Sequence, residues 1–158
     1  MNMATIAGNY SKVFLLCSFL LASGCMTQTK TLHLDINARD SLNNNASGSA
    51  LSTVVRIYQL KDRQAFDNLD YDTLAKNDNH AVKADLVSQK DFRVRPSEAL
   101  AVDMPIDKKV KFIAIAALFL NPDLEKDSWR IVIPRRELSR WKARKIELNN
   151  QEIILQPK

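Results

Sequence analysis

Phe112-Ile113-Ala114-Ile115-Ala116-Ala117-Leu118-Phe119-Leu120 is the most apolar run of the chain outside its N-terminal segment. As a helix, nine residues would rise roughly 14 Å, about half of a hydrocarbon core. The run shows no polar alternation and is closed by Asn121-Pro122-Asp123. It reads as a central strand covered on both faces. The segments around it are strand-like too. Leu32, Leu34 and Ile36 alternate with His33, Asp35 and Asn37, and Thr53 to Leu60 is rich in β-branched residues. Asp85 to Arg95, Leu100 to Pro105 and Trp129 to Ile133 add further strands, with Pro96-Ser97-Glu98 as a turn. Lys145 to Leu148 and Glu152 to Gln156 form a closing hairpin around Asn149-Asn150, because Asn tolerates positive φ in tight turns.

Between Asp62 and Asn77 the period changes. Ala65, Phe66 and Leu69 follow helical spacing, as do Tyr71, Leu74 and Ala75, with Asp62 and Asp70 as N-caps and Asn77-Asp78-Asn79 as the stop. Seven or eight short strands with one helical insertion over about 62–77 predict a mainly β chain folded as a two-sheet β-sandwich. Ala38 to Ala50 is a polar connection too long for a tight hairpin. It is either a loose link or a partner-contact loop.

The N-terminal segment reads as a leader. Lys12 supplies the positive region, Val13 to Leu21 the apolar one, and Leu20-Leu21-Ala22-Ser23-Gly24-Cys25 ends it in a lipobox pattern. The expected organisation is a signal peptide over 1–24, a lipidated tether over 25–31 and a sandwich over 32–158. Translation could start at Met1 or Met3. Cys17 leaves with the leader. Cys25 is then the lone thiol, which suits a cysteine carrying diacylglycerol and an N-acyl chain better than a secreted disulfide protein. Two or three acyl chains anchor durably where one binds only marginally. Met26 rather than Asp after the cysteine favours the outer membrane.

The formal charge of the whole chain is +5. That is too weak a bias to imply nucleic acid. His33 and His80 lack neighbours at metal-ligand spacing, and no Gly-x-Ser-x-Gly elbow or glycine-rich phosphate loop is present. The reading is therefore not an enzyme, with no metal and no soluble cofactor. One basic cluster stands out: Arg130, Arg135, Arg136, Arg140, Lys142, Arg144 and Lys145. Within it Arg135, Arg136, Arg140 and Lys142 are candidates for contact with lipid head groups, against the plainer reading of a solvated sheet edge.

Val54-Val55-Arg56-Ile57-Tyr58-Gln59-Leu60-Lys61-Asp62, followed by Ala65-Phe66, resembles the type VI secretion lipoprotein family TssJ (SciN- or VasD-like). The lipobox, the Ile113–Phe119 strand, the Trp129-Arg130 pair, and Leu42-Asn43 followed by Gly48 fit the same pattern. Ser97 stands where such proteins usually carry Gly in Pro-Gly-Glu. The resemblance implies a transthyretin-like sandwich anchored in the outer membrane and facing the periplasm. It also implies a docking role toward the periplasmic part of the inner-membrane protein TssM (IcmF-like), with TssL in the same complex. The first loop would carry the contact, through Asp40, Ser41, Leu42, Asn43, Asn44, Asn45, Ala46, Ser47 and Gly48. The competing reading is an envelope lipoprotein that binds a small ligand or peptide in an apolar pocket.

Overall fold

A computed structural model describes residues 29–76 and 80–157. The expected leader, Cys25, the first part of the tether and the Asn77-Asp78-Asn79 stop lie outside the described residues. The chain forms two four-stranded sheets. One has the order β4-β1-β7-β8, from β1 (Lys30–Ala38), β4 (Ala99–Ile106), β7 (Arg144–Leu148) and β8 (Ile153–Leu155). The other has the order β3-β2-β5-β6, from β2 (Thr53–Leu60), β3 (Leu86–Val94), β5 (Phe112–Ala117) and β6 (Arg130–Pro134). β1 and β7 run parallel, and every other described ladder is antiparallel. The expected mainly β sandwich is therefore present, with eight strands among the described residues.

In the first sheet, alternation decides the buried face. Leu32, Leu34 and Ile36 of β1 are buried together with Val102, Met104 and Ile106 of β4 and Ile146 and Leu148 of β7. In the second sheet β5 is buried throughout from Ile113 to Ala117. Ile113 and Ile115 share a sheet face with their register partners Gln59, Ile57, Ile133 and Ile131. The opposite face carries Ala114 and Ala116, small residues that leave room for a covering layer. That layer is the helical insertion, α1 (Gln64–Asp67) and α2 (Tyr71–Ala75). Phe66 of α1 meets Tyr58 of β2 with ring centroids 5.3 Å apart, and Tyr71 of α2 meets Trp129 edge-on at 5.2 Å. The Tyr71 hydroxyl also donates to the Phe119 carbonyl. One strand thus serves two cores, which is why its sequence lacks alternation.

Two arginines hold the short helices down. Asp91, Arg56, Ala116 and Arg130 form one row across the sheet. Arg130 donates to the Phe66, Leu69 and Asp67 carbonyls at 2.7, 2.8 and 2.8 Å, and its guanidinium lies 4.6 Å from the Trp129 ring centre. Arg56 donates to the Leu74 carbonyl at 2.7 Å and forks onto Asp91 with two bonds of 2.9 Å. Both add charged donors to carbonyls at or just beyond the C-terminal ends of the short helices, where the regular intrahelical bonding runs out. Arg130 therefore leaves the basic cluster and becomes structural.

Four local expectations change. β1 begins at Lys30, so Lys30 and Thr31 of the expected tether are paired with β4. β5 ends at Ala117, and Leu118 to Leu120 leave the sheet. Asp70 caps α2 by accepting from the Thr73 amide, whereas α1 takes Arg63 at its N-cap position and Asp62 only accepts from the Gln64 amide. The β7–β8 connection is a four-residue turn, Asn149 to Glu152, closed by Asn149 N donating to Glu152 O at 3.0 Å. Four residues need no positive φ, and neither asparagine adopts one.

Candidate functional site

The strand directions sort the connections onto two opposite poles. β1 enters the fold at Lys30, beside Ile106, and leaves at Ala38, beside Leu148. Nine strand residues separate the two poles by roughly 27 Å. The exit pole gathers the β1–β2 loop, the β3–β4 turn, the β5–β6 loop and the β7–β8 turn. The entry pole gathers the β4–β5 turn and the β6–β7 crossover.

At the exit pole the β1–β2 loop is built as an ordered unit. Leu42 is fully buried and plugs the end of the core. Asn43 adopts φ 50°, a left-handed conformation that Asn tolerates. Its buried amide donates to the Ser52 carbonyl at 3.0 Å and accepts from the Leu120 amide at 2.6 Å. The neighbouring turn is tied in by Asn150, which takes the Asn44 amide on its side chain at 2.6 Å and the Asn43 amide on its carbonyl at 3.2 Å. At the tip, the Asn45 side chain accepts from the Ser47 and Ser49 amides at 3.0 and 2.9 Å. Gly48 has φ 77°, which an L side chain there would strain.

This sorts the expected contact residues. Leu42 and Asn43 are buried supports rather than contacts, because one fills the core and the other staples two loops. Asp40, Ala46, Ser47 and Gly48 are exposed, and Ser41, Asn44 and Asn45 are half-buried. The sequence reading missed the apolar part of the pole. Leu120 is 56 % and Leu124 is 62 % exposed, and Leu51 also faces solvent. Asn43 places Leu120 directly against the first loop. The Asn121-Pro122-Asp123 turn was the available sign, since a leucine adjoining it can fall beyond the sheet.

The entry pole is basic. Lys30 donates from Nζ to the Arg135 and Leu138 carbonyls at 3.0 and 2.8 Å, holding the crossover against β1. Burial first, and then the charges of Arg135 and Arg140, push its pKa down. Arg135 donates to the Asp107 and Val110 carbonyls at 2.6 and 3.0 Å. Arg135 is thus spent inside the protein, and of the four expected lipid-contact residues Arg136, Arg140 and Lys142 are exposed. Arg144 is buried on β7 and Lys145 is exposed.

Neither histidine is placed for catalysis or metal binding among the described residues. His33 Nδ1 lies 2.5 Å from the Asp103 carboxylate, its register partner on β4. His80 lies beyond the helical insertion. Among the described residues no cluster of three or more His, Cys, Asp or Glu is arranged to hold a metal ion.

The family model described as type VI secretion lipoprotein, VasD, EvfM, TssJ matches residues 30–157. A solved chain described as type VI membrane complex is 48 % identical, with TM-score 0.78, covering 82 % of this chain and 100 % of that one. Another, in a structure described as the T6SS protein TssM C-terminal domain (869–1107) from EAEC, is 46 % identical, with TM-score 0.75, covering 82 % and 99 %. The T6SS lipoprotein TssJ1 from Pseudomonas aeruginosa is 27 % identical, with TM-score 0.68, covering 83 % and 99 %. No curated protein gives a significant match. With the sandwich, its helical insertion and a family match running the length of the folded domain, this chain belongs to the type VI secretion lipoprotein family.

Proposed function

We propose that the chain is a non-catalytic anchor of the type VI membrane complex. It is held at the periplasmic face of the outer membrane by diacylglycerol and N-acyl chains on Cys25. Its exit pole docks the periplasmic C-terminal part of TssM, and through TssM it joins TssL. The observation that carries this reading is the separation of the poles. The chain emerges toward its anchor at one end of β1, and the ordered loop stands at the other. A lipid tether at the entry pole therefore turns the loop away from the membrane and toward a partner rooted across the periplasm.

The docking face combines the exposed tip, Ala46, Ser47 and Gly48, with Leu120 and Leu124. Polar tips beside exposed apolar residues give both orientation and burial in a protein contact. The internal hydrogen bonds of Asn43 and Asn45 order the loop beforehand, which lowers the cost of binding.

Ser47→Arg combined with Leu124→Arg tests the face. Neither side chain supports the core, so the variant should melt as the parent does yet fail to co-purify with the TssM C-terminal domain. Retained co-purification refutes the assignment of this pole. Cys25→Ser tests the anchor separately, through loss of fatty-acid labelling.

A further inference from the structure

Trp141 is 88 % exposed, far above the other aromatic residues described, in a fold that buries Trp129 almost completely. A large ring left in water beside cations is the pattern of a membrane-interface residue rather than of a core one. Its position is the second observation. Trp141 and Arg140 line a groove with Thr29, Lys30 and His33, directly at the point where the chain leaves the fold toward Cys25. Three residues lie between Cys25 and Thr29, four chain steps in all, so an acylated Cys25 lies within about 14 Å of that groove. Lys30 also lines the adjoining hollow, with Lys108, Lys111 and Arg136 among its walls. The two hollows make one continuous strip around the start of β1.

Charge on this strip is mainly positive, although the exposed Asp103 carboxylate sits beside His33 at its margin. Lys108, Lys109 and Lys111 from the β4–β5 turn join Arg136, Arg140 and Lys142 from the crossover, all exposed. Asp107 and Glu137 are the acidic residues within these two segments. Asp107 is engaged locally, its carboxylate accepting from the Lys109 amide at 2.8 Å. The loop is also held in shape. The Ser139 hydroxyl oxygen accepts from the Trp141 and Lys142 amides at 3.1 Å each, so the indole is presented by a fixed turn.

We propose that the entry pole rests on an anionic phospholipid surface, with Trp141 seated at head-group level and the surrounding lysines and arginines facing the phosphates. This rests on the proposed acylation of Cys25 for its place in the cell, and adds to it an orientation. Acyl chains on a short tether restrict distance alone, whereas a basic-aromatic footprint also fixes which end of the sandwich faces the lipid. The exit pole is then presented outward at the full length of β1, instead of sweeping over a hemisphere. Charge contacts of this kind weaken with salt over a Debye length of about 10 Å at 0.1 M.

The test uses the whole mature chain carrying Cys25→Ser, so that no acyl chain contributes. It is mixed with vesicles of equal parts phosphatidylglycerol and phosphatidylethanolamine, and separately with phosphatidylcholine vesicles. Co-sedimentation and tryptophan emission are read. Trp129 is already in the core, so a blue shift on binding reports Trp141. The expected result is salt-sensitive binding to the anionic vesicles with a blue shift. Trp141→Ala should lower binding about tenfold and remove the shift. Arg140→Gln with Lys142→Gln should lower binding about thirtyfold and leave the fold intact. Absence of binding, equal binding to phosphatidylcholine, or unchanged emission overturns the inference. Loss of TssM co-purification in Trp141→Ala with vesicle binding intact assigns this pole to protein contact and overturns it too. Fatty-acid labelling of Cys25 is read independently, so a labelled Cys25 without vesicle binding sinks this inference and leaves the anchor standing.

Discussion

Asn43→Ala should cost about 3 kcal/mol, which is large for a loop residue with no catalytic part. Three contributions enter. The Asn43 amide is buried and makes two side-chain hydrogen bonds, to the Ser52 carbonyl and from the Leu120 amide. Each orphaned partner costs about 1 kcal/mol when water reaches it imperfectly. The backbone at Asn43 is left-handed, φ 50°, and alanine there adds about 1 kcal/mol. Asn43→Gly separates the terms, because glycine loses the same two bonds without the steric cost and should recover about 1 kcal/mol relative to alanine. The assay is urea unfolding of the acyl-free mature chain, together with hydrogen exchange at the Leu120 amide. That amide should lose its protection in both variants, since its acceptor is gone. On the docking role proposed above, co-purification with TssM should weaken as well, because a loosened loop must be ordered on docking. A stability change of less than about 0.5 kcal/mol with Leu120 still protected would refute the claim that one asparagine staples the two loops.

The Asp91–Arg56 pair makes stability depend on acid. The hydrogen bond from Arg56 holds the Asp91 carboxyl below its ordinary value, against the opposing effect of burial. A depressed folded-state pKa stabilises fully above the unfolded value of about 3.9 and is lost as pH falls through the folded value. The stability gap between the parent and Asp91→Asn should therefore be constant near neutral pH and shrink below about pH 4. A gap that widens on acidification contradicts the pairing. Ser97 occupies φ 61° at the β3–β4 turn, where a side chain is strained. Ser97→Gly should raise the urea midpoint, by about 0.5–1 kcal/mol of added stability, and a lowered midpoint would show that the serine side chain is needed there.

Much of the fold was legible because strands announce themselves by period. β2 spans Thr53–Leu60 as its β-branched content indicates, and the change of period after Asp62 marks the insertion. The resemblance around Val54 to Phe66 pointed to the right family. The basic cluster was less legible. Sequence proximity grouped Arg130, Arg135 and Arg136 as one charge patch, yet Arg130 binds helix carbonyls, Arg135 pins a turn, and Arg136 faces solvent. A guanidinium can satisfy several carbonyls at once, and which carbonyls come near is a matter of tertiary placement. The same holds for Leu42 and Asn43, polar-loop residues by composition and buried supports in fact.

Local chemistry along the chain was enough to determine a β-rich domain, its helical interruption and the run that must lie at the centre of a sheet, because burial on one or two faces is written in side-chain period. Only the three-dimensional structure decided which other connections gather beside the β1–β2 loop at one pole and beside the start of β1 at the other. That outcome follows from the parallel pairing of β1 with β7 and from the way eight strands divide between two sheets. These are long-range choices, made by which apolar faces can close on each other, and no short window of residues encodes them.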